Sequence, residues 1–191
     1  SCRKEKGLIG AIERVSDFAR RYPKSYVWRG DITKFFDSVF KEKLVTVLER
    51  KFCGNALWLS KRIIGSYPDV ECERERESNS PRGMPIGNLT SQLFANLYLH
   101  EFDRFVLHAL NPLGYVRYGD DFVLFGEDKT EASLFRTRAV GYLRTELKLC
   151  LNPKNDSIIP VRRGIRFLGV EIWSTGRRLR KRIKRRWRKG F

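Results

Sequence analysis

The spacing of apolar residues changes period several times along the chain, and each change marks an element. Leu8, Ala11, Ile12, Val15, Phe18, Ala19 and Tyr22 recur at helical spacing. They predict an amphipathic helix of about four turns that Pro23 ends. Tyr26-Val27-Trp28-Arg29-Gly30-Asp31 reads as a short strand ending on an acid, and Asp31 to Val39 turns from it into a helix. Two short helices follow over 41–51 and 56–66, parted by Gly54-Asn55, with Leu44, Val45, Leu48, Phe52, Leu57, Trp58, Ile63 and Ile64 as core candidates. Glu71, Glu73, Glu75 and Glu77 alternate within 69–80, a pattern expected of an exposed hairpin or loop without chemistry. The turn-rich Pro81 to Asn88 then feeds a long helix with Leu89, Leu93, Phe94, Leu97, Phe102, Phe105 and Val106 on its apolar side. His100 and His108 on this helix read as surface or packed histidines.

Tyr115-Val116-Arg117-Tyr118-Gly119-Asp120-Asp121-Phe122-Val123-Leu124-Phe125 predicts strand, tight turn, strand, with Gly119 able to supply the positive φ of the turn. A helix capped by Thr130 runs through Phe135, Ala139, Tyr142, Leu143 and Leu147, and Leu149 to Lys154 leaves it as a loop. Ser157 to Pro160 and Gly164 to Trp173 read as strands, with a tight contact at Phe167-Leu168-Gly169. From Arg177 to Lys189 ten residues are Lys or Arg, and Leu179, Ile183 and Trp187 stand four apart. A helix there would carry one apolar seam within a basic cylinder, suited to packing on the domain while facing a phosphate backbone. The bland alternative is a frayed basic tail.

Charge narrows the partners. Lys and Arg number 39 against 22 Asp and Glu, a net charge of +17 over 191 residues. Such a balance points to a polyanion, because Lys and Arg neutralise phosphates and release counterions. The length suits one domain with a real core. Cys2, Cys53, Cys72 and Cys150 form no C-x-x-C pair, so neither a zinc site nor a disulfide framework is expected, and a reducing cytoplasm is. No apolar run approaches membrane-spanning length and no signal peptide opens the chain, so no membrane partner is expected. The chain begins without Met, as a fragment would.

The candidate chemistry lies on the two strand ends. Adjacent carboxylates at a hairpin tip repel one another unless a cation lies between them and a third acid. Mg²⁺ is the expected cation, since it takes hard oxygen ligands and binds through one or two carboxylates plus phosphates. Asp31 is a natural third acid if its strand lies beside the hairpin. Three carboxylates would then hold two ions, one activating an attacking hydroxyl and both stabilising the leaving oxygens. The alternatives are an Asp-rich turn without function and, for Asp31, a helix N-cap. Asp37 is expected to cap or pair rather than ligate. The backbone N–H groups of Lys34 and Phe35, at the turn into the helix, could point at phosphates. The Gly83–Asn88 loop lets a nucleotide or template backbone come close.

Three stretches together resemble motifs A, B and C of reverse transcriptases, in that family's order: Asp31-Ile32-Thr33-Lys34-Phe35-Phe36-Asp37, Gly83-Met84-Pro85-Ile86-Gly87-Asn88-Leu89-Thr90-Ser91-Gln92 and Tyr118-Gly119-Asp120-Asp121. Leu151-Asn152-Pro153-Lys154 and Arg166-Phe167-Leu168-Gly169 resemble the next two, so the likeness covers about Arg3 to Trp173. Group II intron and retron enzymes usually show Gln-Gly and Ser-Pro where this chain has Ile86-Gly87 and Ser91-Gln92. The Ile-Gly and Ser-Gln version is similar to reverse transcriptases of diversity-generating retroelements, as is Cys2-Arg3-Lys4-Glu5-Lys6-Gly7, although Glu5 stands at a usual Gly and Gly119 at a usual Met.

The resemblance implies an α+β polymerase palm, a central antiparallel sheet holding the acids with helices packed on one side. It implies fingers over 1–25 and 40–82, palm over 26–39 and 83–174, and the basic start of a thumb over 175–191, with further fingers and thumb outside the chain. It implies an RNA-directed DNA polymerase making error-prone cDNA from dNTPs on a DNA or RNA primer, with the primer 3′-hydroxyl as nucleophile. Two Mg²⁺, or Mn²⁺ in their place, would be held by Asp31, Asp120 and Asp121 with the Ile32 carbonyl. Lys34, Phe35, Phe36, Ile86, Gly87, Gln92 and Lys154 would face the dNTP. Among them, Phe36 is the steric gate against a 2′-hydroxyl, Lys154 a proton donor to pyrophosphate, and Ile86 a neighbour of the nascent pair too apolar for strict selection. Arg3, Lys4, Arg180, Lys184 and Arg188 would contact template or primer, and an accessory variability determinant would be a partner. Alternatives are a group II intron, retron or defence-associated enzyme, or a nucleic-acid-binding remnant without catalysis.

Overall fold

The computed structural model describes residues 7–69, 81–84 and 89–179. Helix α1 (Leu8–Arg21) runs from Gly7 to a C-terminal turn at Tyr22, one residue before Pro23, and buries Ile12, Val15 and Ala19. Strand β1 (Tyr26–Gly30) follows, then the single turn α2 (Phe35–Ser38), α3 (Lys41–Glu49) and α4 (Gly54–Gly65). Helix α5 (Leu89–Phe105) continues into a short π-helical turn over Val106–Leu110. Strands β2 (Gly114–Tyr118) and β3 (Asp121–Gly126) form the hairpin, and α6 (Lys129–Thr145) and β4 (Ser157–Pro160) come after it. Three short strands close the described chain, β5 (Ile165–Phe167), β6 (Val170–Trp173) and β7 (Gly176–Leu179).

The main sheet has the order β2-β3-β1-β4 with every pair antiparallel. Strand alternation divides its side chains between two cores. Trp28, Phe122 and Leu124 face α5 and α6, where Phe94, Tyr98, Phe102, Phe135, Ala139 and Leu143 complete the larger cluster. Val27, Val116, Val123 and Phe125 face α1 and the small sheet β5-β6-β7, with Ile165, Phe167, Val170 and Ile172. Both faces are therefore covered, where helices on one side alone are expected from the resemblance. The consecutive apolar residues Val27-Trp28 and Val123-Leu124 reflect this, since a strand buried on both faces is apolar without alternation.

Further differences are local. Trp58 is 60% exposed, with the Arg62 guanidinium 5.3 Å from its ring centre, and is not core. Leu93 is exposed as well. Both residues fit an apolar repeat, but their side chains are left exposed. The cap of α6 is Asp128, whose carboxylate accepts from the Glu131 N–H at 2.8 Å, and Thr130 lies inside the first turn. Gly176–Leu179 pairs with β6 as a strand, so the expected helix does not begin there. The four-residue spacing of Leu179 carries no weight against the hairpin made by Trp173 opposite Gly176. The rest of that tail and the 70–80 stretch lie outside the described residues. At Leu168-Gly169 both φ angles are positive, 47° and 81°, and this gives the tight connection between β5 and β6. His100 and His108 are exposed, as surface histidines should be.

Candidate active site

The register of β1 on β3 assembles the site. Gly30 lies opposite Phe122 and Arg29 opposite Val123. Asp31 follows Gly30 and Asp121 precedes Phe122, so both acids lie at the end of the β1–β3 pairing, beside the hairpin tip. Tyr118 pairs with Asp121, so the loop is Gly119-Asp120 alone. Gly119 has φ +63° while Asp120 stays in the negative range, the pattern of a type II′ turn. Two strands far apart in the sequence thus bring Asp31, Asp120 and Asp121 to one sheet end.

Asp31 does not cap a helix. Its carboxylate Oδ2 accepts from the side-chain amides of Asn155 at 2.7 Å and Asn152 at 3.2 Å. Its carbonyl accepts from the Asn152 N–H at 2.8 Å, while the Thr33 N–H donates to the Cys150 carbonyl at 2.9 Å. These two bonds flank the Ile32–Leu151 bridge. In such an antiparallel pair the N–H and C=O of the bridged residue point away from its partner, which leaves the Ile32 carbonyl directed off the 150–152 segment.

The electrostatics mark Asp120. Burial pushes its carboxyl up to about 6, and the neighbouring carboxylates of Asp31 and Asp121 add to the rise against its own backbone N–H. Burial also raises Asp121, but Arg29 opposes it, donating from Nη2 to Oδ1 at 3.1 Å. The arginine lies diagonally across the ladder from Asp121, within reach of a long side chain. Its Nε is buried without a hydrogen-bond partner. Among the described residues no group of three or more His, Cys, Asp or Glu side chains is arranged to hold a metal ion. What the site offers is a close pair of hard oxygen donors, Asp31 and Asp120, with mutually unfavourable charge. That donor set fits a divalent cation completed by water or phosphate oxygens, and Asp121 stands beside it engaged by Arg29.

The other candidates surround this pair. Lys34 makes the turn from β1 into α2 in left-handed conformation, φ 42°, and its side chain is exposed. The Phe35 ring is buried against Tyr98, so any contact it makes with a nucleotide is through its backbone. Phe36 is partly buried, edge-on to Phe35 at 5.4 Å. Its carbonyl accepts from the Met84 N–H at 2.9 Å, and the Val39 carbonyl accepts from the Gly83 N–H at 2.8 Å. The start of the glycine loop is thereby docked on the gate segment. Gln92 is exposed in the first turn of α5, and Lys154 is exposed, its N–H donating to Asn152 Oδ1 at 3.1 Å. Ile86, Gly87, Arg3, Lys4, Arg180, Lys184 and Arg188 lie outside the described residues. Sequence reasoning missed Asn155, Asn152 as an amide donor, and Arg29. Arg29 could have been suspected from its place two residues before Asp31, whereas Asn155 acts across 124 positions and carries no local signal.

An antiparallel sheet with acids at a strand end and on a hairpin tip, packed by helices, is the layout of a polymerase palm. The chain belongs to the reverse transcriptase (RNA-dependent DNA polymerase) family, whose model matches residues 5–172. It is 28% identical over 184 residues to Protein YkfC of Escherichia coli (strain K12), covering 77% of this chain and 46% of YkfC. Its fold is similar to a telomerase from Candida albicans solved with a TWJ fragment of telomeric RNA, with TM-score 0.68 and 16% identity over 92% of this chain and 34% of that one. It is similar also to an apo telomerase from Candida tropicalis, with TM-score 0.59 and 11% identity over 91% and 40%. The chain spans less than half the length of each of these relatives. Polymerases of this family generally use divalent metal ions. Among the described residues no helix is long and apolar enough to cross a membrane.

Proposed function

We propose that this chain is the palm, with part of the fingers over 1–25 and 40–82 and the start of a thumb after 174, of an RNA-directed DNA polymerase of the diversity-generating type. The observation that carries the reading is the convergence of Asp31, just past the last β1–β3 pair, with Asp120 on the hairpin tip, whose carboxyl is raised to about 6 by burial and by its acidic neighbours. A structural turn gains nothing from holding two carboxylates in mutual repulsion, whereas a nucleotidyl-transfer site needs that charge to hold a divalent cation.

Asp31 and Asp120 would hold the ions, with Asp121 and the Ile32 carbonyl beside them. The bound ions supply charge neutralisation at the transferred phosphate and a more acidic primer hydroxyl. The amides of Asn152 and Asn155 keep the Asp31 carboxylate fixed. Phe36 bars a 2′-hydroxyl by bulk, Gln92 and the Ile86-Gly87 loop border the incoming base, and exposed Lys154 donates a proton to departing pyrophosphate. The primer 3′-hydroxyl attacks the α-phosphorus of the dNTP, the new P–O bond forms as the bond to pyrophosphate breaks, and the chain grows by one nucleotide. Template and primer lie against the basic segments at either end of the sequence, Arg3 and Lys4 and then Arg180, Lys184 and Arg188. An accessory variability determinant is the expected protein partner.

A second reading, a nucleic-acid-binding remnant without catalysis, draws on the basic tail and on the Arg29–Asp121 pair, which engages one acid of the tip. Primer extension on an RNA template, with each dNTP supplied singly, separates the readings. Incorporation that disappears in Asp121→Asn, with errors concentrated opposite template adenines, is the expected result. Accurate incorporation would move the protein to the intron, retron or defence group; no incorporation would leave a truncated enzyme or the remnant, and extension restored by adding further fingers and thumb would separate those two.

A further inference from the structure

The hairpin tip that carries Asp120 has no packing on its Gly119 side. Nothing lies within 4 Å of where a Gly119 Cβ would stand. With Gly119 in open space, the turn needs another restraint if the Asp120 carboxylate is to keep one position. One side chain supplies it. Arg117 on β2 donates from Nη1 to the Gly119 carbonyl at 2.9 Å. The same guanidinium donates from Nε and Nη2 to the two carboxylate oxygens of Asp103 on α5, at 2.7 and 2.6 Å. Asp103 also accepts from the Tyr115 hydroxyl at 2.6 Å. A weaker contact from Arg117 Nη1 reaches Asn96 Oδ1 at 3.4 Å, and the Asn96 amide donates to the Gln92 carbonyl at 2.8 Å. The Arg117 side chain is only 9% exposed, so its bonds to Asp103 are little weakened by water, while its bond to Gly119 lies at the exposed tip.

We propose that Arg117 is a positioning residue for the catalytic turn, a strut that Asp103 holds against α5 and that fixes the Gly119 carbonyl, and hence Asp120. The inference rests on the reading of Asp120 as a metal-holding acid. It assigns α5 a second task beside core packing. The helix that leaves the glycine loop is tied, through Asn96 and Asp103, to the turn that presents the acid. Arginine is needed because one planar fork must serve Asp103 with two donors and Gly119 with a third, which the single point charge of lysine cannot do.

The test is Arg117→Lys, read in two ways. Backbone ¹⁵N order parameters of Gly119 and Asp120 should fall from about 0.85 to below about 0.6, while those of α5 and β3 hold. In primer extension kcat should fall on the order of 100-fold with the KM for dNTP little changed, the signature of a misplaced group rather than lost substrate binding. Tyr115→Phe, which leaves the Arg117–Gly119 bond in place, should keep a rigid tip. Should Arg117→Lys fail to fold, Asp103→Asn frees the guanidinium without removing it and should loosen the same two residues. Unchanged order parameters in the folded variant, or loosening spread equally over α5 and the hairpin, would overturn the proposal. A tip that loosens as expected in a protein that extends no primer, even with further fingers and thumb added, would retain the strut and refute the polymerase reading.

Discussion

Gly30 separates Arg29 from Asp31, and replacing it with alanine is a direct test of how tightly the site is built on the core. A Cβ at Gly30 would stand 2.5 and 2.6 Å from Cζ and Cε2 of Phe122 and 3.4 Å from Leu151 Cδ2. Carbon atoms rest at about 3.5–4.0 Å, so the Phe122 ring must retreat by roughly 1 Å. It has nowhere to go. The ring is fully buried, with Trp28 and Phe102 each 5.2 Å away centre to centre. Overpacking of this kind costs about 1–3 kcal/mol. For a protein of this size each kcal/mol lowers the melting temperature by about 2–4 °C, so Gly30→Ala should melt roughly 2–12 °C lower. Phe122→Leu should relieve the clash, and the double variant should be more stable than the two separate losses imply, by about 0.5–3 kcal/mol of coupling. Calorimetry or urea unfolding of the four proteins reads both quantities. A Gly30→Ala protein that melts within a degree of wild type, or strict additivity in the double variant, would refute the packing argument.

Three other outcomes follow from the same geometry. Asp120 has a folded pKa raised to about 6, so its ionisation costs stability as pH rises from its ordinary value of 3.8 through that range. Asp120→Asn should therefore melt higher than wild type at pH 7 without divalent ions, and Mg²⁺ should raise the melting temperature of wild type only; a variant that melts lower contradicts this. Asp156 is shifted the other way, held below its ordinary range first by hydrogen bonds from Arg136 and then by the Trp28 indole N–H. Its contribution is present above its unfolded pKa and lost as pH falls through the folded one. Unfolding free energy should fall more steeply below about pH 4 in wild type than in Asp156→Asn, and parallel curves would count against the pair. Asn155→Ala should weaken binding of Mn²⁺, followed by electron paramagnetic resonance, by about 10–100-fold, whereas unchanged affinity would show that the amide does not orient Asp31.

Much of this fold was legible because its signals are local. Helical spacing over Leu8–Tyr22, the alternation of 115–125 around Gly119, and the acid ending β1 each determine their element within a few residues. The juxtaposition of Asp31 with the tip was legible only through the motif set, since nothing in either stretch states which strands are neighbours. Contacts that act across long separations were not legible. Asn155 on Asp31 depends on a loop following α6, and Arg117 on Asp103 depends on how α5 crosses the hairpin. Trp58 and Leu93 misled because periodicity reports which residues share a face, not whether anything covers it. The small sheet was half seen: β5 and β6 were expected, but the arginines of β7 resemble a helical cylinder as readily as an exposed edge strand.

Asp31 and Asp120 together are proposed to make this palm a nucleotidyl-transfer site. Single-turnover extension of a primer annealed to RNA, with Mg²⁺ and saturating dNTP, tests this most directly in wild type, Asp31→Asn and Asp120→Asn. Extension by wild type, lost in both variants while each keeps its fold and its affinity for the primed template, is the predicted result. Extension at the wild-type rate by either variant would contradict the account.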